Sequence, residues 1–147
     1  MPQMVYMRDG RAPIPKSEAI SRVMSANRGK NTLPELKLRK ALGTEGLRGH
    51  RLHPKKVPSR PDIVYTKKKI AIFVNGCFWH RCPFCKLPLP KTNRVFWRNK
   101  FQKNIVRDKK NVSLLKKDGW RVVVIWECQL KNNIENPTKK IKRLYQN

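Results

Sequence analysis

Three of the four cysteines in this chain, Cys77, Cys82 and Cys85, fall within nine residues, and the fourth, Cys128, stands far along the sequence. Both groups follow an apolar, β-branched run. Ile70-Ala-Ile-Phe-Val74 leads through Asn75-Gly76 into the first group, and Trp120-Arg-Val-Val-Val-Ile-Trp126 leads to Cys128. Thiols this closely spaced argue against ordinary buried cysteines. Four thiolates complete a closed tetrahedral zinc site, so the ends of two predicted strands have to meet. Such a site has no open position for water. The ion is structural, and any catalysis needs another centre.

At 147 residues the chain is long enough to bury a core without disulfides. The first residues are too soon interrupted by charge for a secretory signal, and no apolar run approaches the roughly 20 residues of a membrane span. A soluble, intracellular chain is expected, in which clustered cysteines read as metal ligands. Lys and Arg number 35 against 9 Asp and Glu, a net charge of +26. That excess points to a polyanion, with nucleic acid the first candidate. Ribosome association or an anionic membrane surface would have the same signature. Carboxylates repel phosphates, so each of the few acids needs a reason to be there.

Residues 1–16, with three prolines, read as a flexible basic arm, and 17–147 as a single domain. Ser17 to Met24 is a candidate short helix, and Asn27 to Asn31 a basic turn. Thr32-Leu-Pro-Glu35 fits a capping box that opens a helix to about Leu42, stopped by Gly43 and Gly46. Gly49 to Arg60 is a loop or irregular strand. Ile63 to Tyr65 and Lys69 to Val74 are expected to be antiparallel neighbours around a tight turn. After the proline-rich cysteine loop, Thr92 or Asn93 caps a helix from Arg94 to Asp118. Its stripe is Trp97, Phe101, Ile105, Val112 and Leu115, with Asp108 on the same face. A strand from Trp120 to Trp126 and a helix from about Pro137 to Tyr145 complete an α/β domain with a central mixed sheet.

Outside the cysteines, Asp62 begins a strand and is a candidate ligand for Mg²⁺, a hard cation that takes oxygen. A strand-capping turn aspartate is the plainer reading. His80 is left free by four cysteines and suits proton transfer. Asp108 could orient it, or could pair with Arg107 or Arg121. Glu35 reads first as the capping-box partner. Of Phe78-Trp79 and Phe96-Trp97, at least one of Phe78 and Trp79 should be exposed. Exposed rings among basic residues suit stacking on, or wedging between, bases.

Ser21-Arg-Val-Met-Ser-Ala26, Lys30-Asn-Thr-x-Pro-Glu35, Pro61-Asp-Ile-Val64, Phe73-Val-Asn-Gly-Cys-Phe-Trp-His80, Phe96-Trp97, Arg107-Asp108 and Gly119-Trp-Arg-Val122 followed by Trp126-Glu-Cys128 occur in an order that resembles the very-short-patch mismatch repair endonucleases, the Vsr family. The resemblance spans roughly Ser17 to Leu130. It implies a fold like type II restriction endonucleases and one structural zinc on Cys77, Cys82, Cys85 and Cys128. The implied activity is Mg²⁺-dependent nicking of duplex DNA 5′ of the thymine in T:G mismatches left by 5-methylcytosine deamination. By position, Asp62 and the main-chain carbonyl of Val74 would hold Mg²⁺. His80, supported by Asp108, would act on the attacking water, and Glu35 would organise metal-bound water. Phe78, Trp79 and Trp97 would form the wedge beside the mismatch, and the N-terminal helix would clamp the opposite groove. Asn75 stands where relatives carry His or Asp, and Cys85 where many use His. The resemblance further implies a monomer in the prokaryotic cytoplasm, associated with the nucleoid and working with mismatch-repair and repair-synthesis proteins.

Two other readings stay open on sequence grounds. One is a restriction or homing-type nuclease with the same site and no mismatch specificity. The other is a non-catalytic, zinc-stabilised DNA-binding protein, which would gain nothing from a carboxylate facing phosphate.

Overall fold

A computed structural model of the chain describes residues 31–147. The expected arm, the Ser17–Met24 helix and nearly all of the Asn27–Asn31 turn lie outside the described residues. Among those described, the elements are α1 (Leu33–Thr44), β1 (Arg51–Leu52), β2 (Ile63–Tyr65), β3 (Ile70–Asn75), α2 (Arg94–Lys117), β4 (Arg121–Trp126), α3 (Glu127–Asn132) and α4 (Glu135–Gln146). The strands form one mixed sheet in the order β1-β2-β3-β4. β1, β2 and β3 are antiparallel, and β4 lies parallel to β3 after a crossover through α2.

The period of two along each strand decides the layers. Ile63 and Tyr65, then Ile70, Ile72 and Val74, then Val123 and Ile125 face one side, where Leu38, Leu42, Leu130 and Ile141 from α1, α3 and α4 cover them. Val64 and Ala71 face the other side, against Leu115 at the end of α2 and Trp120 just before β4, with Phe73 and Val122 packed alongside. β2 and β3 are therefore apolar on both faces, as an interior strand must be. Replacing a fully buried residue of this core, such as Ile141, by Ala should cost about 2–5 kcal/mol.

Helix ends follow local chemistry. The Thr32 hydroxyl accepts from the Glu35 N–H at 3.4 Å. The Glu35 carboxylate does not close the box onto Thr32; it accepts from the Asn31 N–H at 3.1 Å and is otherwise turned inward. α2 stops at Gly119, whose φ of +87° is a conformation glycine adopts without strain.

Gly49–Arg60, expected as a loop or irregular strand, holds the two-residue strand β1. Two expectations need correction. A six-residue helix, α3, which the sequence reading did not include, follows β4 directly, so Cys128 lies in a helical turn. Along α2, Trp97, Phe101 and Leu115 are buried, but Ile105 and Val112 are only half-buried. They line a cavity of about 860 Å³ with Phe73, Val124 and Trp126, and His80 and Asp108 also border it.

Candidate active site and metal centre

The thiol cluster follows from strand register. Each β3 residue pairs with the β4 residue 51 places later, from Ile70 with Arg121 to Asn75 with Trp126. The same interval of 51 separates Cys77 from Cys128, whose backbone N–H donates to the Cys77 Sγ at 3.4 Å. The turns after Gly76 bring in the others: the Cys82 N–H bonds to Cys77 O at 3.0 Å. All four sulfurs lie within 4.8 Å of one another. Cys82 Sγ and Cys128 Sγ are 3.7 Å apart. A tetrahedral ion with Zn–S bonds of about 2.3 Å separates its sulfurs by about 3.8 Å. The donor set and spacing fit one structural zinc. Burial pushes the Cys77 and Cys128 thiols up. It acts the same way on Cys82, but the Cys85 and Phe84 N–H groups and the neighbouring thiols outweigh it and hold Cys82 below its usual value.

A second cluster lies where α1, β1 and β2 meet. Asp62 immediately precedes β2, its N–H bonded to Ile72 O at 3.0 Å. Its Oδ2 accepts from the Val74 N–H at 2.7 Å. Burial raises its carboxyl to about 7; the Val74 N–H opposes this, the Glu35 charge adds to it, and His80 and Arg39 favour the ionised form. Glu35, only 2% exposed, receives Arg39 Nη2 at 3.2 Å on Oε2. The third member is His53, with Nε2 at 3.2 Å from Glu35 Oε2 and Nδ1 at 3.8 Å from Asp62 Oδ1. Glu35, His53 and Asp62 each offer a ligand atom within 4.8 Å of the others. Sequence reasoning missed His53. The signal was the β1–β2 ladder, whose register, continued one step beyond Leu52 and Ile63, sets His53 opposite Asp62. A two-residue strand ending at Leu52, just before Pro54, concealed it.

His80 and Asp108 meet as the resemblance implies, Nδ1 to Oδ2 at 2.6 Å, both half-buried. Arg107 reaches Asp108 only at 3.9 Å, and Arg121 donates instead to Lys68 O at 2.9 Å. The buried Asn104, a second residue the sequence did not single out, donates to Trp79 O at 2.9 Å and so ties the cysteine loop to α2.

The rings of Phe78, Trp79, Phe96, Trp97 and Phe101 form one cluster. Phe78 stands edge-on to Trp97 with centroids 5.6 Å apart, and Trp97 stacks on Phe101 at 5.5 Å. The Arg81 guanidinium covers Phe101 at 4.3 Å. Contrary to expectation, neither Phe78 nor Trp79 is exposed: both are half-buried, and Trp97 is 8% exposed. The exposed ring of the loop is Phe84. Asn75 is buried beside this site and borders the same cavity as His80. No described helix is long and apolar enough to cross a membrane.

A four-thiol centre that fits zinc lies next to a histidine–carboxylate pair, on the edge of a mixed sheet in a strongly basic chain, an arrangement compatible with a DNA-cleaving enzyme. Comparison with known proteins gives the family. The model of the family "DNA mismatch endonuclease Vsr" matches residues 14–86. The type II nicking enzyme V.NmeAIP of Neisseria meningitidis is 44% identical over 110 residues, 75% of this chain and 78% of that protein. V.XorIIP of Xanthomonas oryzae is 41% identical over 109 residues, covering 74% and 79%. The DNA mismatch endonuclease Vsr of Escherichia coli is 37% identical over 111 residues, covering 76% and 70%. The chain belongs to the Vsr family of DNA mismatch endonucleases.

Proposed function

We propose that this endonuclease nicks duplex DNA on the 5′ side of the thymine in T:G mismatches, with a divalent cation as cofactor. The observation that carries the reading is the arrangement of Asp62 and the His80–Asp108 pair. A buried carboxylate suited to a cation and an imidazole held by a second carboxylate are the two parts that phosphodiester hydrolysis needs. The antiparallel β1–β2–β3 unit with parallel β4 supports a restriction-endonuclease-like fold.

Asp62 and the Val74 carbonyl would hold Mg²⁺, and the cluster geometry adds Glu35, which the resemblance gives the task of organising metal-bound water, as a further ligand. When bound there, the ion would supply a lowered pKa for its water and stabilisation of charge on phosphate oxygens. The chain's own groups do the rest. With Asp108 accepting from His80 Nδ1–H, the neutral ring presents its Nε2 lone pair to take a proton from the attacking water. Glu35 is held by the Asn31 N–H and the Arg39 guanidinium. The net +26 charge of the chain supplies affinity for the DNA backbone, which carries no sequence information.

Selectivity has to come from elsewhere. A T:G wobble pair stacks weakly and costs less to open than a matched pair, and the Phe78–Trp79–Trp97 cluster is the group that can exploit this. The similarity to the Escherichia coli mismatch endonuclease supports the T:G reading. The test is Asp62→Asn on a T:G duplex. Nicking should be abolished while binding is kept or tightened, because a negative charge near phosphate is removed. Wild-type nicking by Asp62→Asn would place the reaction elsewhere.

A further inference from the structure

His53 bridges the two carboxylates of the candidate cation site, and its geometry does not suit a plain hydrogen-bond bridge. Its backbone N–H pairs with Asp62 O at 3.1 Å, which fixes the residue against the site. Its φ is +45°, a left-handed conformation that costs a non-glycine residue on the order of 1–3 kcal/mol and is typical of ligand clamps. The ring then points Nδ1 toward Asp62 Oδ1, the oxygen that Val74 leaves free, at 3.8 Å.

Nε2 has two partners that ask opposite things of it. Glu35 Oε2, at 3.2 Å, requires a donor, and Arg39 Nη2, at 3.3 Å, requires an acceptor. In either neutral tautomer one contact sets like against like. Arg39 has a shorter alternative in Asn31 Oδ1 at 2.7 Å. The mismatch ends when a ring nitrogen gives its lone pair to a cation that the carboxylates also bind. A cation takes only one of the two ring nitrogens; one ligand atom each from Glu35, His53 and Asp62 lies within 4.8 Å of the others, against about 3 Å between neighbouring ligands of an octahedral ion at about 2.1 Å.

We propose that His53 is a protein ligand of the divalent cation held by Glu35 and Asp62, and that its nitrogen makes the site select a transition-metal ion such as Mn²⁺ over Mg²⁺. The inference rests on the reading above that Asp62 and Glu35 bind the catalytic cation. Mg²⁺ favours all-oxygen coordination and dehydrates reluctantly, whereas imidazole suits first-row transition metals.

The experiment uses the full chain with its zinc in place and Mn²⁺ as the probe. Pulsed electron paramagnetic resonance of bound Mn²⁺ should show modulation from a directly bound imidazole nitrogen, altered by ¹⁵N-histidine and lost in His53→Gln. Calorimetry should show Mn²⁺ binding about tenfold or more tighter than Mg²⁺, with that ratio collapsing in His53→Gln while Mg²⁺ affinity changes little. If the unaltered protein shows no nitrogen modulation, or His53→Gln keeps it, the proposal is overturned. Equal weakening of both ions in His53→Gln also overturns it and makes His53 a positioning residue for Glu35. Nicking is scored separately. Nitrogen-ligated Mn²⁺ in a protein that nicks no T:G duplex upholds this proposal and removes the T:G nicking reading. Nicking without nitrogen ligation does the reverse.

Discussion

His80 Nδ1 lies 2.6 Å from Asp108 Oδ2, which joins the cysteine loop to the middle of the long helix α2 in one hydrogen bond. If the two act as a unit, their mutational effects will not add. His80→Ala should slow nicking by roughly 10²–10⁴. Asp108→Ala should cost less, since it removes only the orienting partner, and the double variant should be little worse than His80→Ala. Single-turnover rates on a T:G duplex check this. Additive losses would mean that the pair is structural.

The register that sets Cys77 beside Cys128 makes the thiol centre a brace between the ends of β3 and β4. Elemental analysis should find about one zinc per chain. Cys128→Ser, or exhaustive chelation, should lower the melting temperature by roughly 5–10 °C or more, because metal binding at such a site is folding free energy. A metal-free protein with unchanged melting and nicking contradicts this.

Asp62 gives a pH dependence with a definite sign. Its carboxyl is raised by burial from 3.8 to about 7. Between those values the unfolded chain has released a proton that the folded chain keeps, so stability falls as pH rises through the window. The contribution is fully present below about 4 and lost above about 7, and amounts to about 4 kcal/mol across the whole span. Urea unfolding of the protein without added divalent ion should show the slope, and Asp62→Asn should flatten it. A divalent ion favours the carboxylate, so Mg²⁺ should bind more tightly as pH rises toward 7 and release a proton on binding below it.

The aromatic cluster separates packing from recognition. Trp97 is stacked on Phe101 and almost fully buried, so Trp97→Ala should cost about 3–5 kcal/mol of stability. Phe78 is half-buried, and Phe78→Ala should spare the fold more. If the cluster wedges beside the mismatch, Phe78→Ala should lose tenfold or more of T:G nicking, since each base–aromatic stack is worth about 1–3 kcal/mol. Salt-sensitive binding to matched DNA should hardly change. Parallel losses in both would assign the ring to packing alone.

The sheet and the long helix were legible because their signals are local. β2, β3 and β4 are dense β-branched runs, and α2 has a repeating stripe closed by Gly119. The thiol centre was legible because three ligands are close in sequence. The His53 contact was not, because it depends on the pairing register of a two-residue strand that carries no pattern of its own. α3 was missed for a similar reason: six residues cannot show a helical period. Glu35 fits a capping box by spacing, and only the packing of α1 against the β1–β2 edge shows its carboxylate turned toward Asp62. The half-burial of Phe78 and Trp79 also depends on a neighbour, α2, whose Phe96, Trp97 and Phe101 complete the cluster.

The most direct test of the central claim is strand-specific nicking of end-labelled duplexes that differ at one base pair. With Mg²⁺ or Mn²⁺, the protein should cut only the thymine-bearing strand of the T:G duplex, on the 5′ side of that thymine, and leave the C:G duplex intact. Equal cutting of both duplexes, or cutting of neither with zinc bound and the fold intact, would contradict the account.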